Sequence, residues 1–370
     1  MKSAFSGYIP EIPFILVDNF ENKQKCAYFL SHFHGDHIFG LNSKDFPAQL
    51  KKNKGFIYAS AVTVAIVKNE VPELSSHLKI LDLGRNTVTI TEDNEEIYLN
   101  VTTLPAGHSL GSVMFLFNYK ETILYTGDFR ITQNTVASYT HLHKNGVPIH
   151  LDSLYVDTTF QDVRSFPKRS EVVRNVAEQV RDWLNMSIKH RVVLITSACY
   201  GYECVCNEVY STTGIKTYIN AVKWKVFSQF PKEMYGITSD AASRIHLGTK
   251  REHIYSELPE VLTIYFSAMK WGQNIEDENY IKTIKKNKIE VCFATHCGRD
   301  ELLYFINYFK PKRIVGFPEP YNKVAPSEFE CPLDFQISER LKRRRSNSES
   351  ENLAVGRKIS KSDVTTLFDW

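Results

Sequence analysis

The sequence predicts an α/β protein with more than one domain, on the basis of three observations. The chain has 370 residues, which is more than a single hydrophobic core usually supports. Before about residue 153, short apolar segments with the length and composition of strands follow one another, with few helical patterns between them. Beyond this point strands and helices alternate, which is typical of a parallel sheet.

Composition and charge describe an ordinary globular protein and exclude several other classes. Hydrophobic residues make up 43% of the chain and aromatic residues 12%, and the net charge of +3 is too small to indicate a nucleic-acid partner by itself. Seven cysteines without regular spacing argue against a disulfide framework and favour a reducing compartment. We expect no secretory signal, because the N-terminus lacks a basic region followed by a sufficiently long apolar run. We expect no membrane partner, because no apolar segment has the length needed to span a bilayer.

The sequence SHFHGDH at positions 31–37 concentrates metal-ligand side chains in a short stretch. It follows Ala27–Leu30, an apolar and aromatic segment that is predicted to be a buried strand. If this strand continues into the motif, His32 and His34 point in the same direction, because side chains alternate across an extended backbone. Gly35 then allows a tight turn.

After the turn, Asp36 and His37 are predicted to open a helix, with their side chains directed toward the same place. Two imidazoles from the strand, together with a carboxylate and an imidazole from the turn, suit two adjacent divalent metals. Zinc is the first choice for a set of nitrogen and oxygen ligands. The alternative is a solvated histidine-rich loop, and the density of ligand side chains favours the metal site over it.

Two further candidate ligands lie where predicted strands end. His108 is in a loop between the predicted strands Ile97–Leu104 and Ser112–Phe117, and Asp128 comes just past the predicted buried strand Thr122–Tyr125. A lone polar residue in a loop is usually only solvated, but a rigid scaffold presents functional groups at strand-to-loop transitions. We therefore expect His108 to complete the coordination of one metal and Asp128 to bridge both.

Other elements are predicted from the same patterns. The short apolar run Ile12–Val17 ends at Asp18, a helix over Ala59–Val71 stops at a proline, and Ser170–Ile188 is a long helix with Ser170 as its N-cap. The other predicted strands are Leu78–Leu83, Leu154–Val156, Arg191–Thr196, Ile215–Ile219, Val261–Phe266 and Ile289–Ala294. The other predicted helices lie near Asp277–Lys286 and Asp300–Phe309.

The end of the chain has a different composition. A basic cluster at Leu341–Arg345 precedes the serine- and acid-rich segment Ser346–Glu351, and such a composition predicts disorder. The basic cluster is a candidate nuclear-import signal, and the alternative is a solvated tail. The final residues, Leu367–Trp370, are either a short docking motif or without function.

Taken together, the motif at 31–37, His108 and the segment Thr126–Asp128 resemble the ligand motifs of the metallo-β-lactamase superfamily. Three downstream segments resemble the β-CASP domain of the DNA cross-link repair nucleases within that superfamily; they are Asp157–Phe160, Ala198–Glu203 and Cys292–His296. The resemblance covers roughly residues 12–318, in order. The combination is more specific than the histidine and aspartate signature alone, which many hydrolases of other substrates share.

This resemblance implies a metallo-β-lactamase αββα sandwich with an inserted β-CASP α/β domain and an active site in the cleft between them. On this basis we expect the first part of the sandwich at 1–155 and the β-CASP domain at 156–288. The chain would return to the sandwich at 289–328, and a disordered basic and serine-rich tail would occupy 329–370.

The resemblance also implies the metal ligands. Those of the first zinc would be His32, His34, His108 and Asp128. Those of the second metal would be Asp36, His37 and the bridging Asp128. We expect the first zinc to be held tightly and the second metal more weakly, because it has fewer ligands, with Mg²⁺ or Mn²⁺ as alternatives to zinc.

Besides Asp128, three residues are implied to act in catalysis. Asp18 would orient the site through its ligands. Asp157 and His296 match the acid and histidine motifs of the family, and we expect His296, supported by Asp157, to protonate the leaving oxygen. The alternatives are a helix-cap or turn aspartate for Asp157 and a structural histidine for His296.

The function implied by the resemblance is a metal-dependent nuclease that hydrolyses DNA at or near 5′ ends, overhangs or hairpins during repair in the nucleus. DNA-dependent protein kinase and end-joining factors are the implied protein partners. The alternatives are an RNA-processing β-CASP nuclease and a catalytically inactive repair scaffold. RNA-type relatives carry another histidine further along the chain from His296, where this chain has Phe317 and Pro318, and this difference favours DNA. The intact ligand set disfavours the scaffold.

Three departures from the family pattern qualify these expectations. Some members carry a structural zinc in the β-CASP domain, but of its ligands only His246 remains, with Tyr218 and Gly248 at other ligand positions. We therefore expect no third metal. The pair Ser109–Leu110 replaces a usual Cys-Pro, which affects loop stiffness, and Ser197 replaces a lysine near the nucleic acid, which would weaken phosphate binding.

Overall fold

A computed structural model describes residues 3–22, 24–92, 95–249, 258–271 and 280–322 of the chain. The described residues up to Tyr321 form one compact unit. The predictions for the tail, namely disorder, the basic import signal and the terminal docking motif, lie outside the described residues. So do residues 277–279 of one predicted helix.

The first sheet is parallel, with two strands before the metal-ligand motif in the sequence and two strands after it. Its strands, in spatial order, are β1 (Ile15–Val17), β2 (Ala27–Phe29), β3 (Phe56–Ala59) and β4 (Leu78–Ile80). The helices of this region are α1 (Phe46–Asn53), α2 (Ala61–Glu70) and a 3₁₀ helix at Pro72–His77. Helix α2 begins after Ser60, whose hydroxyl oxygen accepts a hydrogen bond from Thr63 N, and ends before Pro72, close to the predicted bounds.

The second sheet is mixed and contains six strands among the described residues. They are β5 (Gly84–Glu92), β6 (Glu95–Pro105), β7 (Val113–Asn118), β8 (Thr122–Tyr125), β11 (Ser153–Asp157) and β19 (Arg313–Phe317). Their spatial order is β19-β11-β8-β7-β6-β5; β5 to β8 pair antiparallel, and β8, β11 and β19 pair parallel. The connection from β8 to β11 holds α3 (Gln133–Val136), a 3₁₀ helix (Thr140–Leu142), β9 (His143–Lys144) and β10 (Val147–Pro148).

These two sheets face each other across one apolar layer. Phe29 of the first sheet contacts Phe115 and Phe117 of the second, with ring centroids 5.5 and 5.1 Å apart. The outer face of the first sheet packs on α1 and α2, and the outer face of the second packs on α7 (Arg299–Phe309). The layer order helix, sheet, sheet, helix agrees with the predicted αββα sandwich.

A third sheet is built by the chain between β11 and α7. In the described residues its strands, in spatial order, are β14 (Ile237–Thr238), β13 (Thr217–Tyr218), β15 (Ile245–Thr249), β12 (Arg191–Thr196), β16 (Val261–Ser267), β18 (Lys288–Cys292) and β17 (Ile281–Lys285). Its pairs are parallel except β17 with β18. The helices of this segment are α4 (Arg169–Met186), α5 (Glu203–Thr213) and α6 (Ala221–Phe227). The apolar face of α4 packs on α5 and β12, which explains the strong helical period of its sequence.

Several sequence predictions differ from this fold. The helix predicted over Asp277–Lys286 is wrong where the structure describes it, because Ile281–Lys285 pairs with β18 as an exposed edge strand. Lysines at an edge protect it from further pairing, and they also made the segment look helical. Ser170 is not the N-cap, since α4 begins at Arg169 after Lys168. Strand β5 was not predicted, although its apolar and polar residues alternate.

The metal-ligand motif itself also differs from the expected geometry. Strand β2 ends at Phe29, before the motif, and Asp36 and His37 lie in a turn rather than at the start of a helix. A hydrogen bond from His37 N to His34 O, 3.0 Å long, closes this turn. None of the helices in the described part of the chain is long and apolar enough to cross a membrane.

Candidate metal centre

Each candidate site residue follows the carboxyl end of a strand. Asp18 follows β1, the motif follows β2, and His108 follows β6. Asp128 and Asp157 lie at the ends of β8 and β11, and His296 comes after β18. Because these strand ends lie on one side of the molecule, the structure brings all nine residues predicted from the sequence into one cluster: Asp18, His32, His34, Asp36, His37, His108, Asp128, Asp157 and His296.

Three imidazoles and one carboxylate converge on a first position. His34 Nδ1 lies 3.1 Å from His32 Nε2 and 2.9 Å from His108 Nε2. Asp128 Oδ2 lies 3.5 Å from His32 Nε2 and 3.6 Å from His108 Nε2. A tetrahedron with metal–ligand bonds of about 2.0–2.1 Å has edges of about 3.3 Å, so these four side chains have the spacing of a zinc ligand set.

A second position lies on the other side of Asp128. His37 Nε2 is 3.0 Å from Asp128 Oδ1 and 3.8 Å from Asp36 Oδ2. The same His37 nitrogen is buried and makes no well-aligned hydrogen bond. The ring nitrogen and the two carboxylate oxygens at this position are spaced so that they could face one cation. The two oxygens of Asp128 therefore face two different ligand groups.

Asp18 fixes the orientation of His37. Its carboxylate is fully buried and accepts hydrogen bonds from Ser31 N (2.7 Å), Ser31 Oγ (2.5 Å), His37 Nδ1 (2.8 Å) and Tyr125 Oη (2.8 Å). Asp18 has a φ of +52°, a left-handed conformation that few residues other than Gly, Asn and Asp adopt. The bond to Nδ1 leaves Nε2 of His37 to face the second position.

Two backbone carbonyls orient the ligands of the first position. His34 Nε2 lies 3.3 Å from Tyr200 O, which belongs to the loop between β12 and α5. His108 Nδ1 lies 2.9 Å from Thr295 O, which belongs to the loop after β18. The third sheet therefore contributes to the ligand geometry of a site whose ligands all come from the first two sheets.

Electrostatics keep His34, His108 and Asp128 in the forms that bind cations, whereas the surroundings of His37 favour its protonated form. Burial lowers the pKa of His34 to about 3, and burial also holds the pKa of His108 well below its usual value, so both imidazoles are neutral at pH 7. Burial raises the pKa of Asp128, but His37 and His296 outweigh it, so the carboxyl is ionised. Burial likewise lowers the pKa of His37, but Asp128 and Asp18 raise it well above 6.5. These carboxylates thus favour a proton on His37, which the ring would have to release in order to bind a metal through Nε2.

Asp157 and His296 form a pair beside the first position. His296 Nδ1 is 2.8 Å from Asp157 Oδ2, and His296 Nε2 is 3.9 Å from Asp128 Oδ2. Asp157 Oδ1 accepts hydrogen bonds from the backbone and hydroxyl of Thr159, which fix the carboxylate. Burial lowers the pKa of His296, but the two carboxylates outweigh burial and raise it to about 9. His296 therefore carries a proton at neutral pH.

Two groups that shape the site were not predicted from the sequence. The Tyr125 hydroxyl and the Tyr200 carbonyl gave no sequence signal, since one belongs to a core-type residue and the other to the backbone.

His246 lies away from the candidate metal centre. Its Nε2 contacts the carbonyls of Ala241 and Ser243 at 3.2 and 2.9 Å, and its ring lies 4.8 Å from that of Tyr218. It belongs to none of the metal-compatible groups among the described residues.

Comparison with known proteins gives sequence relatives over most of the chain. The chain is 31% identical to Artemis of Gallus gallus over an alignment 401 positions long, which covers 99% of this chain and 55% of that protein. It is 33% identical to Artemis of Homo sapiens over 84% of this chain and 48% of that protein. It is 27% identical to the DNA cross-link repair protein SNM1 of Arabidopsis thaliana over 84% of this chain and 65% of that protein.

The chain spans about half the length of the Artemis proteins that it matches. No protein-family model matches it. By sequence the chain is Artemis-like, and it resembles a DNA cross-link repair protein over most of its length.

Proposed function

We propose that the chain is a metal-dependent nuclease that hydrolyses phosphodiester bonds of DNA at or near 5′ ends, overhangs or hairpins during repair in the nucleus. The observation that carries this proposal is the position of Asp128, whose two oxygens face two ligand groups while the pair of Asp157 and His296 lies beside it. Adjacent divalent metals held in this way are typical of phosphodiester hydrolysis. The likeness to Artemis and SNM1 favours DNA as the substrate.

We further propose that the fold is a metallo-β-lactamase sandwich with an inserted β-CASP domain. The chain leaves the second sheet after β11 and returns to it with β19, which pairs parallel with β11, and this connectivity supports an insertion. The domain bounds proposed from the sequence are 1–155, 156–288, 289–328 and 329–370; residues 289–292 belong to β18, which pairs within the third sheet.

The residues fit zinc as the first metal. His32, His34, His108 and Asp128 would hold it, and Asp36, His37 and Asp128 would hold a second, weaker metal, which is zinc, Mg²⁺ or Mn²⁺. When bound, such metals supply a hydroxide nucleophile near neutral pH and neutralise charge that develops on the phosphate.

The chain's own residues supply the remaining chemistry. The protonated His296 presents Nε2 toward Asp128, because its Nδ1 is held by Asp157. From this position it can give its proton to the oxygen that leaves the phosphorus. Asp157 keeps the ring in place and stabilises its positive charge. Asp18, through His37, keeps one ligand in the required orientation.

An RNA substrate is the alternative. The region in which RNA-type relatives carry a further histidine is occupied by Phe317 at the end of β19, where its ring stacks on Tyr125 with centroids 5.1 Å apart. An aromatic pair in this place packs the core and offers no metal ligand. This difference supports DNA over RNA.

The test is incubation of purified protein with end-labelled single-stranded, overhang and hairpin DNA and with matched RNA. We expect cleavage of DNA, a preference for a 5′-phosphorylated end over a 5′-hydroxyl end, and no cleavage by an Asp128→Ala control. Equal or faster turnover of the matched RNA would favour the alternative. Absence of cleavage with either polymer, in the presence of Zn²⁺, Mg²⁺ or Mn²⁺, would refute the proposed nuclease.

A further inference from the structure

We infer that Glu203 is a positioning residue of the candidate metal centre, which fastens the loop that carries His108 to the loop that orients His34. The inference rests on the proposed metal-dependent function, because it assigns a role toward those ligands. Glu203 touches neither ligand, so its effect would pass through the two loops.

The carboxylate of Glu203 lies between these loops. Glu203 is the first residue of α5 and its side chain is buried. Its two oxygens accept hydrogen bonds from Gly201 N, at 2.9 and 3.0 Å, and one of them also accepts from Leu110 N at 3.3 Å. One side chain of the third-sheet segment thus satisfies backbone donors from two loops that are far apart in the sequence.

Both loops lead directly to metal ligands. Leu110 is two residues after His108, and its loop is closed by the bond from Ser112 N to Ser109 O, which is 3.0 Å long. Gly201 follows Tyr200, whose carbonyl oxygen lies 3.3 Å from His34 Nε2. A shift of either loop would therefore move an imidazole of the first position.

The loops are also in direct contact. Gly201 has a φ of +106°, and a Cβ atom at this position would come within 3.2 Å of His108 O. The backbone of the third-sheet segment thus lies against the residue that presents a ligand, and only glycine allows this approach without strain. Glu203 holds Gly201 in that place.

Burying a carboxylate is unfavourable unless hydrogen bonds or a nearby opposite charge compensate the loss of hydration. Burial raises the pKa of Glu203, while the backbone amides and the ammonium of Lys223 on α6 oppose the shift. Lys223 is itself buried on the helix that packs against α2. Glu203, Lys223 and the two loops all lie where the third-sheet segment meets the helices of the first sheet.

The test uses metal affinity rather than cleavage. Glu203→Ala removes both acceptors, whereas Glu203→Gln keeps one oxygen that can still accept from Gly201 and Leu110. Zn²⁺ affinity of the metal-free proteins is measured by chelator competition, and the ligand field of the first position by the absorption spectrum of bound Co²⁺. We expect Glu203→Ala to weaken the tight site by about 10–100-fold and to change the Co²⁺ spectrum, with Glu203→Gln in between.

Glu11→Ala is the matched control. Glu11 is also a partly shielded glutamate that accepts two side-chain hydrogen bonds, from Ser153 Oγ at 2.6 Å and Tyr155 Oη at 2.8 Å, but it lies by the amino end of β11. We expect this variant to lose thermal stability and to keep wild-type Zn²⁺ affinity.

The outcomes separate the positioning role from the proposed function. If wild-type protein binds Zn²⁺ and both Glu203 variants bind it equally well, the positioning role is refuted and the metal centre stands. If Glu203→Ala does not fold, Glu203→Gln decides, and an unchanged affinity and Co²⁺ spectrum in that variant also refute the role. If wild-type protein binds no Zn²⁺, the proposed metal centre and the role assigned to Glu203 are both overturned.

Discussion

Replacing Asp18 with asparagine should weaken the second metal site while leaving the fold intact. Asparagine tolerates the left-handed backbone at this position and has nearly the same shape. Its oxygen can keep the bond to Ser31 N, but an NH₂ group then stands where Oδ2 accepts from Ser31 Oγ, His37 Nδ1 and Tyr125 Oη. The amide can only donate to His37 Nδ1, so the ring proton moves to Nε2.

This change of tautomer determines how much metal affinity the second position should lose. Nε2 of His37 lies 3.0 Å from Asp128 Oδ1, so a proton on this nitrogen would be donated to that oxygen, and the nitrogen would no longer be available as a ligand. Loss of an orienting partner of this kind reduces metal affinity by about 10–100-fold, or about 1.4–2.8 kcal/mol. Calorimetric titration of Mn²⁺ or Zn²⁺ into protein that already carries one tightly bound zinc measures this affinity directly.

Tyr125→Phe is the control for this prediction. It removes one hydrogen bond to the same carboxylate without reversing the His37 tautomer, and the ring can keep its stack on Phe317. We expect it to lower the free energy of unfolding by about 0.5–1.5 kcal/mol and to leave metal affinity unchanged. Wild-type affinity in Asp18→Asn, or an equal loss in Tyr125→Phe, would refute the assigned role of Asp18.

Four further predictions follow from the same geometry. Asp128→Ala removes a ligand of both groups, so it should abolish cleavage with the fold retained in circular dichroism; near wild-type cleavage would contradict the bridging position. His296→Ala should slow cleavage by about 10²–10⁴-fold with unchanged metal content by elemental analysis, and loss of a zinc equivalent would show that His296 is a ligand. If the protonated form of His296 is the acid, as proposed, then its raised pKa of about 9 means that the wild-type rate should fall as pH rises through about 9. His296→Ala should lack this decline. No more than two metals per chain are expected, and a stable third equivalent that disappears in His246→Ala would contradict this limit.

The identity of the candidate site could be predicted from the sequence because its residues follow short strands with clear apolar patterns. His108 and Asp128 illustrate this, since each comes after a buried strand and needs only the scaffold to be placed. The orientation of the ligands could not be predicted in the same way. Tyr200 O reaches His34 from a position 166 residues away, and such a contact depends on how the third sheet docks.

Local patterns also failed where tertiary pairing decided the structure. Ile281–Lys285 has the composition of an exposed helix, and only its antiparallel partner β18 makes it a strand. The positive φ of Asp18 is another example, because the carboxylate is held there by Ser31, which follows β2, and by Tyr125 of β8, and not by its neighbours in the sequence.

The pairing of β19 with β11 has a consequence for how the molecule is assembled during synthesis. The last strand of the second sheet leaves the ribosome only after the whole third-sheet segment, so β11 is an unprotected edge while residues 158–312 are synthesised. All six candidate ligands precede residue 130, whereas the candidate proton donor is His296. A nascent chain therefore holds a complete set of ligands well before it holds the group that would finish the reaction. A chain cut short before β19 would keep all six candidate ligands and would leave β11 as an open edge that is available for pairing with other chains.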